Sequence, residues 1–381
     1  MKSVKITAVV LFSINLLVSA CAKNKGEWQP LFNGQDLSGW HIENSMPADI
    51  TVKSGEIVFS RESFAPTWLR SEHEYENFEL EFDYLLNEWC TLSVFLRAPR
   101  YGDQTWGGYN LRLNANQGGT DEMSTGAVFP VIPALAKAGN GHGVWNHCRI
   151  LMQSLHLKAW VNGTLVQNCD LAADDELKFR LKQGYIGFQA LAHAAKVKNM
   201  RLRESPATYH WIPLFNGKDF SGWREIGSAQ WEIANNGILR SMNGDGYLLT
   251  HETFQDFEFR SYVRCKRGVN GGIFFRWINI ENNDRGYEIQ IEDLQDSKDP
   301  TGSLYNIIRA NRPRVRSEEW FLMQVMMDSS RCVVRVNGET LVDYDNLTEI
   351  RAGHVGLQMH RRNSWIEYRD MRMRKLNGKG Y

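Results

Sequence analysis

The C-terminal half of this 381-residue chain carries side chains suited to proton transfer on a polyol: Arg276, Glu288, Gln290, Asp293, Gln358 and His360. A carboxylate or a neutral imidazole takes or gives a proton at a reacting carbon or oxygen. A guanidinium, charged at any working pH, stabilises an oxyanion that develops beside it. Side-chain amides hydrogen-bond hydroxyls in either sense. These groups matter together only if one surface collects them.

Strands would do the collecting. The segment GGIFFRWINIENNDRGYEIQIED at 271–293 predicts two of them, 273–278 and 287–292, joined by a polar turn. Successive side chains on a strand point to opposite faces. Tyr287, Ile289 and Ile291 then face one way and Glu288, Gln290 and Glu292 the other. In the first strand Ile273, Phe275 and Trp277 oppose Phe274, Arg276 and Ile278. GHVGLQMH at 353–360 adds Gln358 and His360 to the polar face, and Asp293 follows at a strand end. The plainer alternative is a solvated sheet face, on which Arg276 and Glu288 pair between strands and His360 is a satisfied strand-end residue.

The chain is a duplication. WQPLFNGQDLSGW at 28–40 returns as WIPLFNGKDFSGW at 211–223, FELEFDY at 78–84 as FEFRSYV at 257–263, and SVFLR at 93–97 as GIFFR at 272–276. GYNLRL at 108–113 matches GYEIQI at 286–291, and STGAVF at 124–129 matches PTGSLY at 300–305. KAWVNGTLV at 158–166 matches VVRVNGETLV at 333–342, and GYIGFQ at 184–189 matches GHVGLQ at 353–358. Two domains follow, 26–205 and 209–377, around a Ser205-Pro206-Ala207-Thr208 linker. Short alternating strands between Gly, Asn and Asp turns predict an all-β sandwich for each, with Asn162-Gly163 and Asn337-Gly338 as tight hairpins. The first copy offers Arg97, Asn110, Arg112, Gln189 and Leu191 on the matching face, and Ala115 opposite Asp293. It lacks every acid and the imidazole. A wet surface gives no reason for one copy to keep Glu, Asp and His together, so the second reads as the chemical copy. The first reads as a degenerate one that binds, packs or shields the site, with the Gly-rich 117–143 segment able to lie over it.

Composition narrows the partners. With 44 basic and 44 acidic residues and a net charge of +0, the chain has no basic excess for phosphate backbones, which excludes nucleic acid as the main partner. Thirteen Trp exceed ordinary core needs only in part; some are available as sugar platforms. Lys2 and Lys5 precede an apolar stretch at 6–18, then Ser19, Ala20 and Cys21. Residues 1–20 therefore read as a signal peptide, and Cys21 after Val-Ser-Ala as the lipidated residue of a bacterial lipobox. That predicts a lipid-anchored protein of the bacterial cell envelope, on the periplasmic side or the outer membrane. Cys90, Cys148, Cys169, Cys265 and Cys332 show no zinc-like spacing and predict no particular pairing. Nothing in the sequence sets an oligomeric state.

Taken in order, LFNGKDFSGW, GIFFR, GYEIQIED, TGSLYN, Glu318-Glu319-Trp320, VNGETLVD and GHVGLQMH resemble the 3-keto-disaccharide hydrolase domain family over nearly the whole mature chain, twice. The resemblance implies two tandem concanavalin-like jelly-roll β-sandwiches in a secreted or lipid-anchored bacterial protein. It also implies an oxidised di- or oligosaccharide, a 3-keto-disaccharide or 3-keto-glycoside, as substrate. A C3 ketone acidifies the C2 hydrogen; a base removes it, the enediolate expels the C1 substituent, and water adds back. Glu288 or His360 is the base in this reading, and Arg276 stabilises the enolate oxygen. Gln290, Asp293, Gln358, Tyr305 and Trp320 make up the substrate-binding set. No cofactor is certain; a divalent metal on Glu288, Asp293 and His360, helped by Gln290, is the variant. Two other readings stay open. One is a laminarinase-type glycosidase using Glu288 and Glu292, whose Cα atoms lie roughly 13 Å apart on a straight strand, wide for paired carboxyls. The other is a non-catalytic carbohydrate-binding lipoprotein with Phe274 and Tyr262 as platforms.

Overall fold

A computed structural model describes residues 26–44, 49–60, 67–116, 119–280, 283–294, 296–311 and 315–376. The leader at 1–20 and Cys21 lie outside the described residues. The regular structure is almost entirely strand and forms two jelly-roll sandwiches. In each half an eight-stranded sheet faces a five-stranded one. In the second half the five-stranded sheet runs in the order Trp223–Gly227, Gly246–Phe254, Gly353–Met359, Asn270–Ile280, Asn283–Glu292. Every pairing in it is antiparallel.

Alternation builds the core. Ile273, Phe275, Ile289, Ile291 and Leu357 point inward from the five-stranded sheet and meet Phe257, Phe259, Val325 and Met373 of the other, all fully buried. The repeated FNG-x-D-x-SGW motif is a structural clasp. Asn216 Oδ1 accepts from the backbone N–H of Lys218 and Asp219, an Asx turn, and Trp223 Nε1 donates to the Leu214 carbonyl at 2.8 Å. Asn33 and Trp40 repeat the same bonds in the first half. The five described cysteines are free thiols.

The first half docks by its loops onto the outer face of the second half's eight-stranded sheet. Glu74 takes Arg260 at 2.8 Å and Arg372 at 2.9 Å. Arg260 also donates to the Gln183 carbonyl at 2.6 Å, Arg100 N donates to the Tyr262 hydroxyl at 2.7 Å, and Tyr101 packs edge-on against Tyr262. The opposite sheet, which carries Glu288, keeps its outer face clear of these contacts. The first half therefore does not shield that face, and the described part of 117–143 packs at home: Val128 bridges Leu111 and Ile132, and Leu135 N donates to the Val166 carbonyl.

Candidate active site

Register fixes the outer face of the five-stranded sheet as a grid. One row runs Tyr247, Gln358, Gly272, Gln290; the next runs Leu249, Gly356, Phe274, Glu288. A third, at the sheet's edge, runs Asp245, His360, Asn270, Glu292, with His360 N donating to the Asn270 carbonyl at 3.1 Å. The chain at 300–308 then flanks the last strand, Tyr305 N donating to the Glu288 carbonyl and Gln290 N to the Ser303 carbonyl, which sets the exposed Tyr305 beside Glu288. Glu288, Gln290, Gln358 and Tyr305 thus share one face, with His360 on its rim.

Glu288 is the chemically unusual member. Its side chain turns back over Gly272, where an added Cβ would stand 2.3 Å from its Oε1. Burial pushes its carboxyl up to about 8, and the neighbouring Asp299 and Glu292 carboxylates add to the rise. No ion pair reaches it among the described residues. Glu292 is held by Ser297 Oγ, whose oxygen also accepts the Asp299 N–H. Gln290, 2% exposed, donates from Nε2 to Asn270 Oδ1 at 3.0 Å and leaves its Oε1 without a partner in the chain. Gln358 Nε2 reaches the Tyr247 hydroxyl at 3.3 Å. Tyr247, Phe274 and Trp277 pack together as the aromatic end of the face. A carboxylic acid that keeps its proton near neutrality, ringed by amides and aromatic edges, can donate to a sugar oxygen.

His360 Nδ1 lies 3.1 Å from Asp245 Oδ1. That bond places the ring proton on Nδ1 and leaves Nε2 as the basic nitrogen. With strands about 4.8 Å apart and a rise of about 3.3 Å per residue, the His360 Cα sits roughly 8 Å from the Glu288 carboxyl over Gly272, a span one sugar ring can bridge. Asp245 escaped the sequence reading because it lies 115 positions away, in the short loop by which the chain crosses from Ile238–Met242 of one sheet to Gly246–Phe254 of the other.

Three expected members lie elsewhere. Arg276 is not on the polar face: a bulge between Phe275 and Ile278 breaks the alternation, Arg276 takes φ +52°, and Trp277 turns outward in its place to meet Tyr247 and His354. The fully buried Arg276 guanidinium binds the carbonyls of Gln255, Ser329 and Glu349 and the Asp256 carboxylate. Arg97 repeats this in the first half, also at a positive φ, on the carbonyls of Glu76 and Ser154 and on Asn77. Both arginines are loop staples. Asp293 accepts from Ser317 Oγ and lies toward the Cys265 thiol of the facing sheet. Trp320 stacks on Tyr101 between the two halves, far from Glu288. Glu288, Asp293 and His360 do not converge, and among the described residues no three His, Cys, Asp or Glu side chains group as a metal site.

The same face in the first half is plugged. Trp68 stands at the Tyr247 place and is fully buried. Arg112, at the Gln290 place, stacks 3.6 Å over the Phe129 ring; Asn110, at the Glu288 place, donates to Ser93 and Thr105. Ser93 occupies the Gly272 place. The missing Cβ in the second half is therefore the space Glu288 uses, and the Ser-to-Gly difference between copies was the readable signal. Gly272→Ser, which restores the first copy's residue, is expected to displace the Glu288 carboxyl and lower turnover at least tenfold while the melting temperature stays within a few degrees; steady-state kinetics with a thermal melt check it.

The family described as the 3-keto-alpha-glucoside-1,2-lyase-like domain matches residues 27–203 and 210–374. A 3-keto-disaccharide hydrolase of Bacteroides thetaiotaomicron is 22% identical over 193 residues, 42% of this chain; the match spans 66% of that relative's length. A Parabacteroides distasonis crystal structure described as a "putative glycosyl hydrolase" is 20% identical, with a TM-score of 0.42 over 48% of this chain and 94% of its own. The Bacillus subtilis carbohydrate-binding module CBM66 is 14% identical, with a TM-score of 0.33 over 40% of this chain and 96% of its own.

Proposed function

Because the chain belongs to the 3-keto-alpha-glucoside-1,2-lyase-like domain family, we propose that its second half cleaves 3-keto-glycosides, 3-keto-disaccharides among them, by 1,2-elimination and hydration. The observation that carries this reading is the Glu288 carboxyl, folded over Gly272 on the outer face of the second half's five-stranded sheet, where burial holds it protonated near neutrality. His360, oriented by Asp245, takes the C2 proton through Nε2. The C–H electron pair becomes the C2–C3 double bond of the enolate, and the charge moves to O3, to which the second N–H of the Gln358 amide donates. As the C1–O bond breaks, Glu288 gives its proton to the departing oxygen. Water then adds at C1 of the enone and C2 regains a proton, so the net change is hydrolysis. The arginine expected at O3 plays no part, since its donors are spent on loop carbonyls.

The test is sugar release from a 3-keto-glucoside, the parent glucoside and a buffer control. Release from the keto form alone supports the elimination route. Release from the parent supports a glycosidase, and binding without release a lectin. His360→Ala is expected to slow release by about 10²-fold or more; a rate within twofold of wild type removes it from the scheme. We further propose attachment to the cell envelope through a lipid on Cys21. Incorporation of a clickable fatty acid, lost in Cys21→Ala, is the expected result.

A further inference from the structure

We propose that the cleft between the two halves is a second saccharide site, one that holds an uncharged oligosaccharide without cutting it. The cleft encloses about 980 Å³ and is walled by Gln104, Trp106 and Glu176 of the first half and Glu318, Trp320 and Glu339 of the second. Ligand sites run to about 300–1,000 Å³ and favour domain junctions, with aromatic walls and a few converging polar groups. Trp106 is the platform. The Arg180 guanidinium lies 5.3 Å from its ring and fixes it on one side, and the half-buried indole borders the cleft on the other. Carboxylates at 176, 318 and 339 offer acceptors to sugar hydroxyls.

Charge selects the ligand. The two arginines of the cleft are engaged: Arg100 lies 3.3 Å from Glu43, and Arg316 lies 3.7 Å from Glu319. The lining carries five acids, Asp103, Glu176, Glu318, Glu319 and Glu339, against these two arginines, and Arg335 behind it lies 3.9 Å from Glu176; the excess of acid sets a negative field that disfavours uronates and sulfated chains. The site exists only because the halves touch, for Gly338 abuts the Trp106 backbone so closely that an added Cβ would stand 2.2 Å from its carbonyl carbon. Its place also fits a holding role. The 316–320 segment is shared, Ser317 binding Asp293 just past the Glu288 strand while Glu318 and Trp320 face the cleft. The first copy, plugged on its own face, would then serve by building this wall.

The inference rests on the carbohydrate reading of the family and not on the chemistry assigned to Glu288. The test is calorimetric titration of full-length Glu288→Gln protein with maltohexaose, cellohexaose, laminarihexaose and hexagalacturonate. At least one neutral hexasaccharide is expected to bind. Its affinity should fall tenfold or more in Trp106→Ala and in the isosteric Glu339→Gln, and should not change in Gln358→Ala; hexagalacturonate should not bind. Binding by none of the three neutral chains, equal binding of hexagalacturonate, or loss in Gln358→Ala without loss in the cleft variants overturns the proposal. If cleft binding holds while Glu288→Gln keeps full turnover on a 3-keto-glucoside, the chemistry fails and the cleft stands.

Discussion

Glu288→Gln is expected to lower turnover of a 3-keto-glucoside by about 10²–10⁴-fold, the range for loss of a positioned proton donor. The amide keeps the shape over Gly272 and removes only the transferable proton. The wild-type pH profile follows from the same group. Its working form is protonated, so activity is held below pH 8 and is lost as pH rises through about 8, where the carboxyl ionises. Stability carries the same signature. The folded state binds this proton more tightly than the unfolded chain, so Glu288 lowers stability as pH climbs from the ordinary carboxylate range toward about 8. Glu288→Gln should therefore be more stable than wild type at pH 8.5, by about 1 kcal/mol once the partial access of water is allowed for. A variant that is inactive and more stable marks a functional group kept at the expense of the fold. A variant that is active, or one whose activity loss comes with unfolding, contradicts the assignment.

Arg276→Met is expected to lower stability by about 3–5 kcal/mol, because it removes the buried guanidinium that binds the carbonyls of Gln255, Ser329 and Glu349 and the Asp256 carboxylate, leaving Asp256 only the Ser329 N–H among the described residues. Arg97→Met should cost a similar amount in the first half, where no chemistry is assigned. Denaturant unfolding measures both. Turnover per folded Arg276→Met molecule should remain within a few-fold of wild type. Equal stability with abolished turnover would return the guanidinium to the oxyanion.

The pair of arginines shows where reading the sequence fails. Alternation placed Glu288 and Gln290 together because their strand is regular from Tyr287 to Glu292. It misplaced Arg276 because one bulge reverses the sense of every side chain beyond it, and nothing in the GIFFRW run announces a bulge. The duplication held a clue: Arg97 stands at the equivalent place beside a face with no acids, which suits a staple better than a catalyst. Asp245 and Asp299 were illegible for a different reason. Each joins the face through a turn or flanking loop, and loop positions carry no periodicity to project. Trp320 and Asp293 lie at the strand ends, where the path of the following chain, not the pleat, decides the side. The sandwich itself was legible, since alternating runs, Asn-Gly turns and the repeated Asx-turn clasp all point one way.

The central claim is that this face removes and returns the C2 proton of a 3-keto sugar. The most direct measurement is cleavage of a 3-keto-glucoside in D₂O, followed by mass and NMR analysis of the released 3-keto-glucose and corrected for exchange of the free product. Elimination and hydration place one deuterium at C2 in each turnover. Product that carries no deuterium at C2 would mean that the glycosidic bond breaks without that proton leaving, and would contradict the account.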